Sequence, residues 1–588
     1  MFYINSNTFG VIMQCLNNKS TLRILSLAIF LICSFFTDAI IAQWSSDSTV
    51  NNPICTAFNY QKNPQLTSDG NSGAIIVWED NRIGDYNIYS QLISSDGHTM
   101  WTNDGVSVSS AVNDQVTPQI TSDENGGAII VWQDNRSGNA DIYAQRIDNN
   151  GVSQWTADGI PICVATNQQF EPIIIRDGSG GAIITWKDYR SGFGYDIYAQ
   201  RVNNNGDVLW SADGNIICSA GNEQSGQQII SDGSGNAIIV WQDNRAGGFD
   251  IYAQKVDGNG TVVWDVDGIA VCIEANDQQR VQIASDGVGG ALIAWDDYRN
   301  AIDRDIYAQR LNSDGVKLWT SEGVPVCLAT GDQLTPQSTS DNSNGAIIVW
   351  NDLRAGIYSD LFAQRIDLNG NVLWTANGVD ICTEANNQNH SQIVSDKKGG
   401  AIIVWQDHRR GFEDDIYAQS ISTDGNVVWM SNGVPVSVPT LDQAFPRLIF
   451  SENNNAIIAW EDFRNGNYDI YCSLVDTNGI LGGGAVYVFN DERLPNYFSL
   501  LQNYPNPFNP VTNISYTLPS ESQVKLSIYN PLGELVETLV NEKQGTGKYD
   551  AVWNAGNHSS GIYIYTLDAV SINGNKQTKI SKKMILMK

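Results

Sequence analysis

The nonapeptide AIIVWQDNR occupies residues 128–136 and returns letter for letter at residues 237–245. Near copies begin at Ala74, Ala182, Ala291, Ala346, Ala401 and Ala456, and the eight tryptophans they carry, from Trp78 and Trp132 to Trp460, follow one another at intervals of 54 or 55 residues. A period this strict confines the chain to architectures in which one supersecondary unit is stacked many times, each copy burying a face it cannot bury alone.

One unit, residues 115–163, shows what is being stacked. Four short segments rich in β-branched and aromatic residues are separated by SDENGG, DNRSGNA and DNNG, each with a residue able to take positive φ. That predicts four strands per unit and no helix. AIIVW is apolar on both faces and is expected to be covered on each side; DIYAQRI is mixed, and the stretch around Trp155 is half polar, which suits strands nearer a rim. Four-stranded units of this length, repeated, predict an all-β, eight-bladed β-propeller over residues 43–484.

Counting tests closure. The second tryptophan of each unit recurs as Trp101, Trp155, Trp210, Trp264, Trp319, Trp374 and Trp429, but the last unit reads DTNGILGGG instead. Trp44 has no preceding strands of its own. The segment around Trp44 is therefore expected to supply the fourth strand of the last blade; an open superhelix would leave Trp44 unpaired.

The constellation W-x-D-x-R followed by D-I-Y recurs with few exceptions, as in Trp132, Asp134, Arg136, Asp141 and Tyr143, with Trp155 behind it. An arginine between two carboxylates at a strand end is expected to hold the hairpin shut. A group used identically eight times lacks the singular environment that catalysis requires. The loop DNRSGNAD has oxygens suited to calcium, but the intervening arginine opposes a cation, and no metal site is assigned. Ser179 sits in a turn that reads DENGG and DGVGG in other units. No G-x-S-x-G or H-E-x-x-H is present, and the histidines His98, His390, His408 and His558 are scattered. Carboxylates are too numerous for spacing alone to single out a glycosidase pair. Because the blades differ only modestly, at residues 302–304, 357–359 and 412–414, the expectation is a non-enzymatic protein with no catalytic residue and no cofactor.

The formal charge is −30. The first 42 and last 98 residues each carry about +1, leaving roughly −32 on the repeats, a field that repels nucleic acid and anionic lipid. Lys19 and Arg23 precede the apolar run Ile24–Phe36, and the small Ala42 ends the segment before Gln43, which predicts a cleavable signal peptide over residues 1–42. Met13 is an alternative start. Ile32 before Cys33 argues against a lipoprotein site, and the run is too short for a membrane span, so no transmembrane segment is expected in the mature protein. Cys55, Cys163, Cys218, Cys272, Cys327 and Cys382 share one repeat position, with Ser109 and Ser437 completing the series. Equivalent points on neighbouring blades are too far apart for disulfides, so these cysteines are read as small buried hydrophobes.

The hairpin NNNGDVLW (Asn203–Trp210) resembles the turn and docking tryptophan of quinoprotein propeller repeats and, more loosely, the Asp-box of sialidases; the likeness implies the fold and carries neither family's catalytic residues. After Gly484 the repeat stops. Beyond a linker at residues 485–497, alternating strand and turn signals over residues 498–588 predict a small immunoglobulin-like β-sandwich. Its residues Tyr504, Pro505, Asn506, Pro507, Phe508, Asn509 and Pro510, then Gly533, Trp553, Gly561, Tyr563 and the terminal Lys583 to Lys588, resemble the type A sorting domain of the type IX secretion system. That resemblance implies an address label read by the outer-membrane translocon of a Gram-negative bacterium, then commonly removed, with the cargo released or attached at the surface. The whole chain thus reads as a secreted or surface-attached propeller that binds an extracellular glycan or protein, with a carbohydrate-active hydrolase or lyase as the alternative.

Overall fold

The computed structural model describes residues 44–411, 413–482, 498–500, 503, 506–545, 547–572 and 577–587. The signal segment, the linker, Tyr504, Pro505 and Lys588 lie outside the described residues. Two compact units divide the chain, one ending at Gly484 and the other beginning at Ala485. Regular structure among the described residues is entirely strand.

The first unit is an eight-bladed propeller. Blade 1 is a four-stranded antiparallel sheet of Gln61–Ser68, Ala74–Asp80, Asn87–Ile93 and Val106–Ser109 in spatial order, and six further blades repeat it up to Val434–Ser437. Blade 8 contains Gln443–Phe450, Ala456–Asp462 and Asp469–Val475 from its own repeat, and its fourth strand is Asn52–Cys55, antiparallel to the third with Asn52 opposite Cys472. First strands touch the first strands of both neighbouring blades all round the ring, including Gln61–Ser68 against Gln443–Phe450. They therefore line the axis, and the chain's early segment closes the circle.

Each strand's composition follows from its place. Successive residues of AIIVW point to opposite faces of the sheet, and each face has its own core: Ile130 and Trp132 pack with Ile75 and Val77 of blade 1, while Ile129 and Val131 pack with Ile184 and Trp186 of blade 3. The run is continuous because both faces are buried. First strands are sheet edges facing the axis, so a proline is tolerated there, as at Pro118, where the register skips from Val116↔Gln133 to Gln119↔Val131. At that bulge the third residue takes left-handed φ in every blade, even where it is Thr117 (+51°), Arg280 (+52°) or Phe445 (+52°). Gly159 shows why the turn before each fourth strand needs glycine: at φ +85° a Cβ would lie 2.5 Å from the Trp132 ring.

Trp44 is 5% exposed and its Nε1 donates to the Ser95 carbonyl oxygen at 2.9 Å, as Trp155 does to Asn204 (3.1 Å) and Trp429 to Thr477 (3.1 Å) one blade on. Arg464 of blade 8 donates to the carbonyl oxygens of Thr49 (3.1 Å) and Val50 (2.7 Å), so residues adjoining the closing strand are tied to the last blade by side chain as well as by ladder.

The second unit is a two-sheet β-sandwich. One sheet holds Ser499–Leu500, Val511–Leu518 and Gly547–Asn554; the other orders Leu535–Gln544, Ser522–Tyr529, Gly561–Ser571 and Gln577–Leu586. Trp553 anchors its core against Phe508 (5.5 Å between rings) and Tyr563 (5.1 Å), and donates to Glu537 at 2.9 Å. Asn506 accepts from the Ile585 amide (2.8 Å) and reaches the Lys583 carbonyl, which sets that segment beside the last strand. Pro510 accepts from the Ala555 amide at 2.8 Å, and Gly533 takes φ +84° in the hairpin at Asn530.

Candidate functional site

The repeated constellation is assembled as a blade-to-blade staple. Asp134 is fully buried, accepts from Trp132 Nε1 at 2.7 Å, and receives Arg136 in a two-point fork at 2.8 and 2.6 Å. The Arg136 guanidinium also donates to the Asp158 carbonyl (2.7 Å), lies 3.9 Å above the Tyr143 ring, and touches Ser109 of the preceding blade. It does not bridge to Asp141, whose carboxylate instead accepts from Ser137 at 2.7 Å. Where the preceding blade offers cysteine, as at Cys163 beside Arg190 (3.1 Å), burial pushes the thiol up to about 12, which leaves it protonated and inert. A second repeated pair, Arg146 with Asp123 at 2.8 Å, recurs at Arg201, Lys255, Arg310 and Arg365.

Against this sameness one position varies: the x of W-x-D, which reads Glu79, Gln133, Lys187, Gln242, Asp296, Asn351, Gln406 and Glu461. It stands opposite the second residue of the first strand, where the bulge begins, and so at the end of the channel where the first strands start. In several blades its side chain accepts from the left-handed residue of the next blade: Thr117 N to Glu79 (2.7 Å), Arg280 N to Gln242 (2.9 Å) and Asn63 N to Glu461 (2.8 Å). An amide suffices for that task, and a carboxylate there is an added charge. Asp296 is neutralised by two arginines, Arg280 at 2.6 Å and Arg304 at 2.8 Å.

Glu79 and Glu461 are different. Among the described residues neither forms an ion pair, and Asn63 joins them, its amide to Glu461 and its Nδ2 to Glu79 at 2.8 Å each. Burial raises both carboxyls above their ordinary range, Glu461 to about 7. Lys62, opposite Glu79, lies over the rings of Tyr60 (5.1 Å) and Tyr468 (4.7 Å), and Phe463 packs on Tyr468 at 4.9 Å. Blades 8, 1 and 2 thus meet at a mouth with two buried carboxylates that lack a direct ion pair among the described residues, an aromatic shelf and a lysine whose charge acts on both. The opposite end of the channel carries a cavity of about 670 Å³ whose lining includes Thr67, Ser122, Ile174 and Ser231 together with the charged Glu124, Arg176 and Glu452.

Sequence reasoning passed over this mouth because it weighed the constant letters of the repeat. The signal was there: one inconstant position inside an otherwise constant nonapeptide. What spacing could not show is that Glu79 and Glu461, 382 residues apart in sequence, share Asn63 across the closure.

The raised carboxyl makes a test of this geometry. The neutral form of Glu461 is favoured in the folded state, so its contribution is full below the ordinary glutamate range near 4.5 and is lost as pH rises through about 7. Glu461→Gln keeps the acceptor for Asn63 N. It is expected to stabilise the propeller at pH 8 by on the order of 2 kcal/mol and to change nothing at pH 4. Denaturant unfolding at the two pH values checks this.

Among the described residues no group of three or more His, Cys, Asp or Glu is gathered to hold a metal, and no helix is long and apolar enough to cross a membrane.

Solved structures similar to this chain include an α-L-arabinanase of Penicillium chrysogenum complexed with arabinobiose (10% identity, 62% of this chain and 93% of that one, TM-score 0.32). Others are an α-L-arabinofuranosidase of Fusarium graminearum (12%, 53% and 93%, TM-score 0.32) and a eukaryotic initiation factor (8%, 73% and 89%, TM-score 0.37). The expectation of a non-enzymatic protein is corrected: it rests on sameness of the blades, which the carboxylates Glu79 and Glu461 break, and enzymes stand among the similar structures. No curated protein matches the chain. Residues 502–587 match the family described as the secretion system C-terminal sorting domain, so the chain ends in a type IX sorting domain, which engages the secretion machinery and marks a secreted or cell-surface cargo.

Proposed function

We propose that the propeller is the working part of this cargo and that it recognises an extracellular glycan at the channel mouth formed by blades 8, 1 and 2. The observation that carries this reading is the aromatic shelf of Tyr60, Phe463 and Tyr468 set beside Lys62 and Asn63. Flat apolar faces suit the C–H face of a sugar ring, while convergent polar groups suit its hydroxyls. Tyr60 is 42% exposed and Asn63 is exposed, so both are open to a ligand. In the producing bacterium the sorting domain would be removed after passage of the outer membrane, leaving the propeller free or attached at the surface.

A glycan-binding screen on the secreted protein tests the reading. Tyr468→Ala is expected to weaken any sugar ligand about tenfold, the loss of one stacking surface worth roughly 1–2 kcal/mol, with unfolding midpoints confirming that the variant is folded. Sugar binding that ignores Tyr468, or no sugar binding at all, overturns it.

A second reading rests on the carboxylate pair. A carboxyl that titrates near 7 beside another carboxylate has the protonation states used for general acid–base cleavage of a glycosidic bond. Against it, Glu79 and Glu461 are 5% and 3% exposed and have oxygens committed to Asn63 and Thr117. Product analysis of each bound oligosaccharide separates the two readings.

A further inference from the structure

We infer that blade 3 carries a second sugar subsite, built from Phe170, Tyr189, Tyr195 and Lys187, and that one polysaccharide chain engages it together with the shelf of blades 8 and 1. The inference rests on the glycan reading above and adds to it a second point of contact and a polymeric ligand.

Two repeat positions decide where an aromatic pair forms on this face: the residue after the aspartate of W-x-D and the residue before D-I-Y. Both are tyrosine or phenylalanine in blade 8, as Phe463 and Tyr468, and in blade 3, as Tyr189 and Tyr195, and in no other blade. The two pairs are held alike, with ring centroids 4.9 Å apart and planes at 51° in blade 8, and 5.2 Å and 49° in blade 3. Each gains a third ring on its second tyrosine position: Tyr60 against Tyr468 at 6.4 Å, and Phe170 edge-on to Tyr195 at 5.9 Å. A lysine lies over the same ring in both, Lys62 at 4.7 Å from Tyr468 and Lys187 at 5.0 Å from Tyr195. The lysines reach these places from different strands. Lys62 stands in a first strand opposite Glu79, whereas Lys187 stands in a second strand opposite Phe170, so the likeness is not a by-product of the repeat.

The blade 3 shelf is open to a ligand. Phe170, Tyr189 and Tyr195 are half-buried, as Phe463 and Tyr468 are, and Phe193 at the hairpin tip between the two tyrosines is 93% exposed. Apolar surface gathered in this way marks a binding face. Glu171 takes φ +52° at the bulge position that Asn63 fills in blade 1, and pairs with Lys187 at 2.5 Å. That pair offers a donor and acceptors to sugar hydroxyls without a net charge, beside rings that suit a sugar's C–H face. Because the aromatic pairs occupy equivalent repeat positions, they lie at the same end of the channel and at the same distance from its axis, three blade steps apart. A chain crossing the mouth meets both, and once one shelf holds it the second contact is intramolecular.

Calorimetry of the secreted protein with β-1,4-linked trimers of glucose, xylose, mannose and galactose, and with soluble forms of the matching polymers, tests the inference. At least one trimer is expected to bind at two sites per chain, and its polymer about a hundredfold more tightly than the trimer. Tyr195→Ala and Tyr468→Ala each install the residue that blade 2 carries as Ala140, so folding is expected to survive, and unfolding midpoints check it. Each variant should weaken one trimer site and the polymer about tenfold and leave the other trimer site unchanged. A single trimer site that responds to Tyr468→Ala and ignores Tyr195→Ala overturns the inference and leaves the glycan reading standing, as does a polymer that binds no more tightly than its trimer. A single site that responds to Tyr195→Ala alone overturns the reading at blades 8 and 1 and the two-point grip with it. Binding of none of the probes overturns both.

Discussion

Removing residues 44–55 from the mature chain is expected to open the propeller and to cost more stability than any single substitution. The deletion strips the third strand of blade 8, Asp469–Val475, of its outer partner, and takes away Trp44, which is nearly buried against blade 1. It also leaves Arg464 without Val50 and without Asn51, whose Oδ1 it reaches at 3.0 Å. Loss of a buried tryptophan alone runs to roughly 3–5 kcal/mol, and the ladder and arginine contacts add to that. The bared strand then offers unpaired backbone groups to any other copy. Size-exclusion chromatography should show self-association, denaturant unfolding should shift by about 5 kcal/mol or more, and hydrogen exchange should lose protection first at residues 469–475. An unchanged midpoint with that strand still protected would show that the early segment contributes nothing to closure.

The two aspartates of one constellation are expected to behave in opposite ways. In blade 4, Asp243 is fully buried and accepts from Trp241 Nε1 (2.8 Å) and from Arg245 through Nε (2.9 Å) and a terminal nitrogen (2.6 Å). Asp243→Ala strands a partly buried guanidinium and an indole N–H, so a loss of about 3–5 kcal/mol is expected. Asp250, directly opposite in the ladder, is pushed up to about 6 by burial and then by Asp243 itself. Its neutral form is the one the fold prefers; that contribution is full below the ordinary aspartate range near 3.8 and fades as pH rises through 6. Asp250→Asn is therefore expected to stabilise by on the order of 1 kcal/mol at pH 8, after allowance for solvent screening, and by nothing near pH 4. Thermal unfolding of both variants at the two pH values decides the matter; equal destabilisation would mean that the arginine is held by both carboxylates after all.

Much of the architecture was legible because a repeat states its rules eight times. AIIVW had to be covered on both sides, the missing last tryptophan had to be made good by Trp44, and the turns announced themselves through glycine and asparagine. The constellation was legible as a unit but not in its wiring. Spacing placed Arg136 between Asp134 and Asp141, and only coordinates show the guanidinium turning from Asp141 to stack on Tyr143 and reach Asp158. The mouth was less legible still, because Glu79 and Glu461 occupy the one inconstant position of the repeat and look like noise in a linear reading.

By itself the sequence determined the number of blades, the strand content of each and the sorting domain at the end, because periodicity and composition are local properties that every copy repeats. Which departures from the repeat come together was decided only by the tertiary structure. Closing a ring sets blade 8 against blade 1, and residues nearly four hundred positions apart become neighbours whose burial and shared hydrogen bonds set their charge.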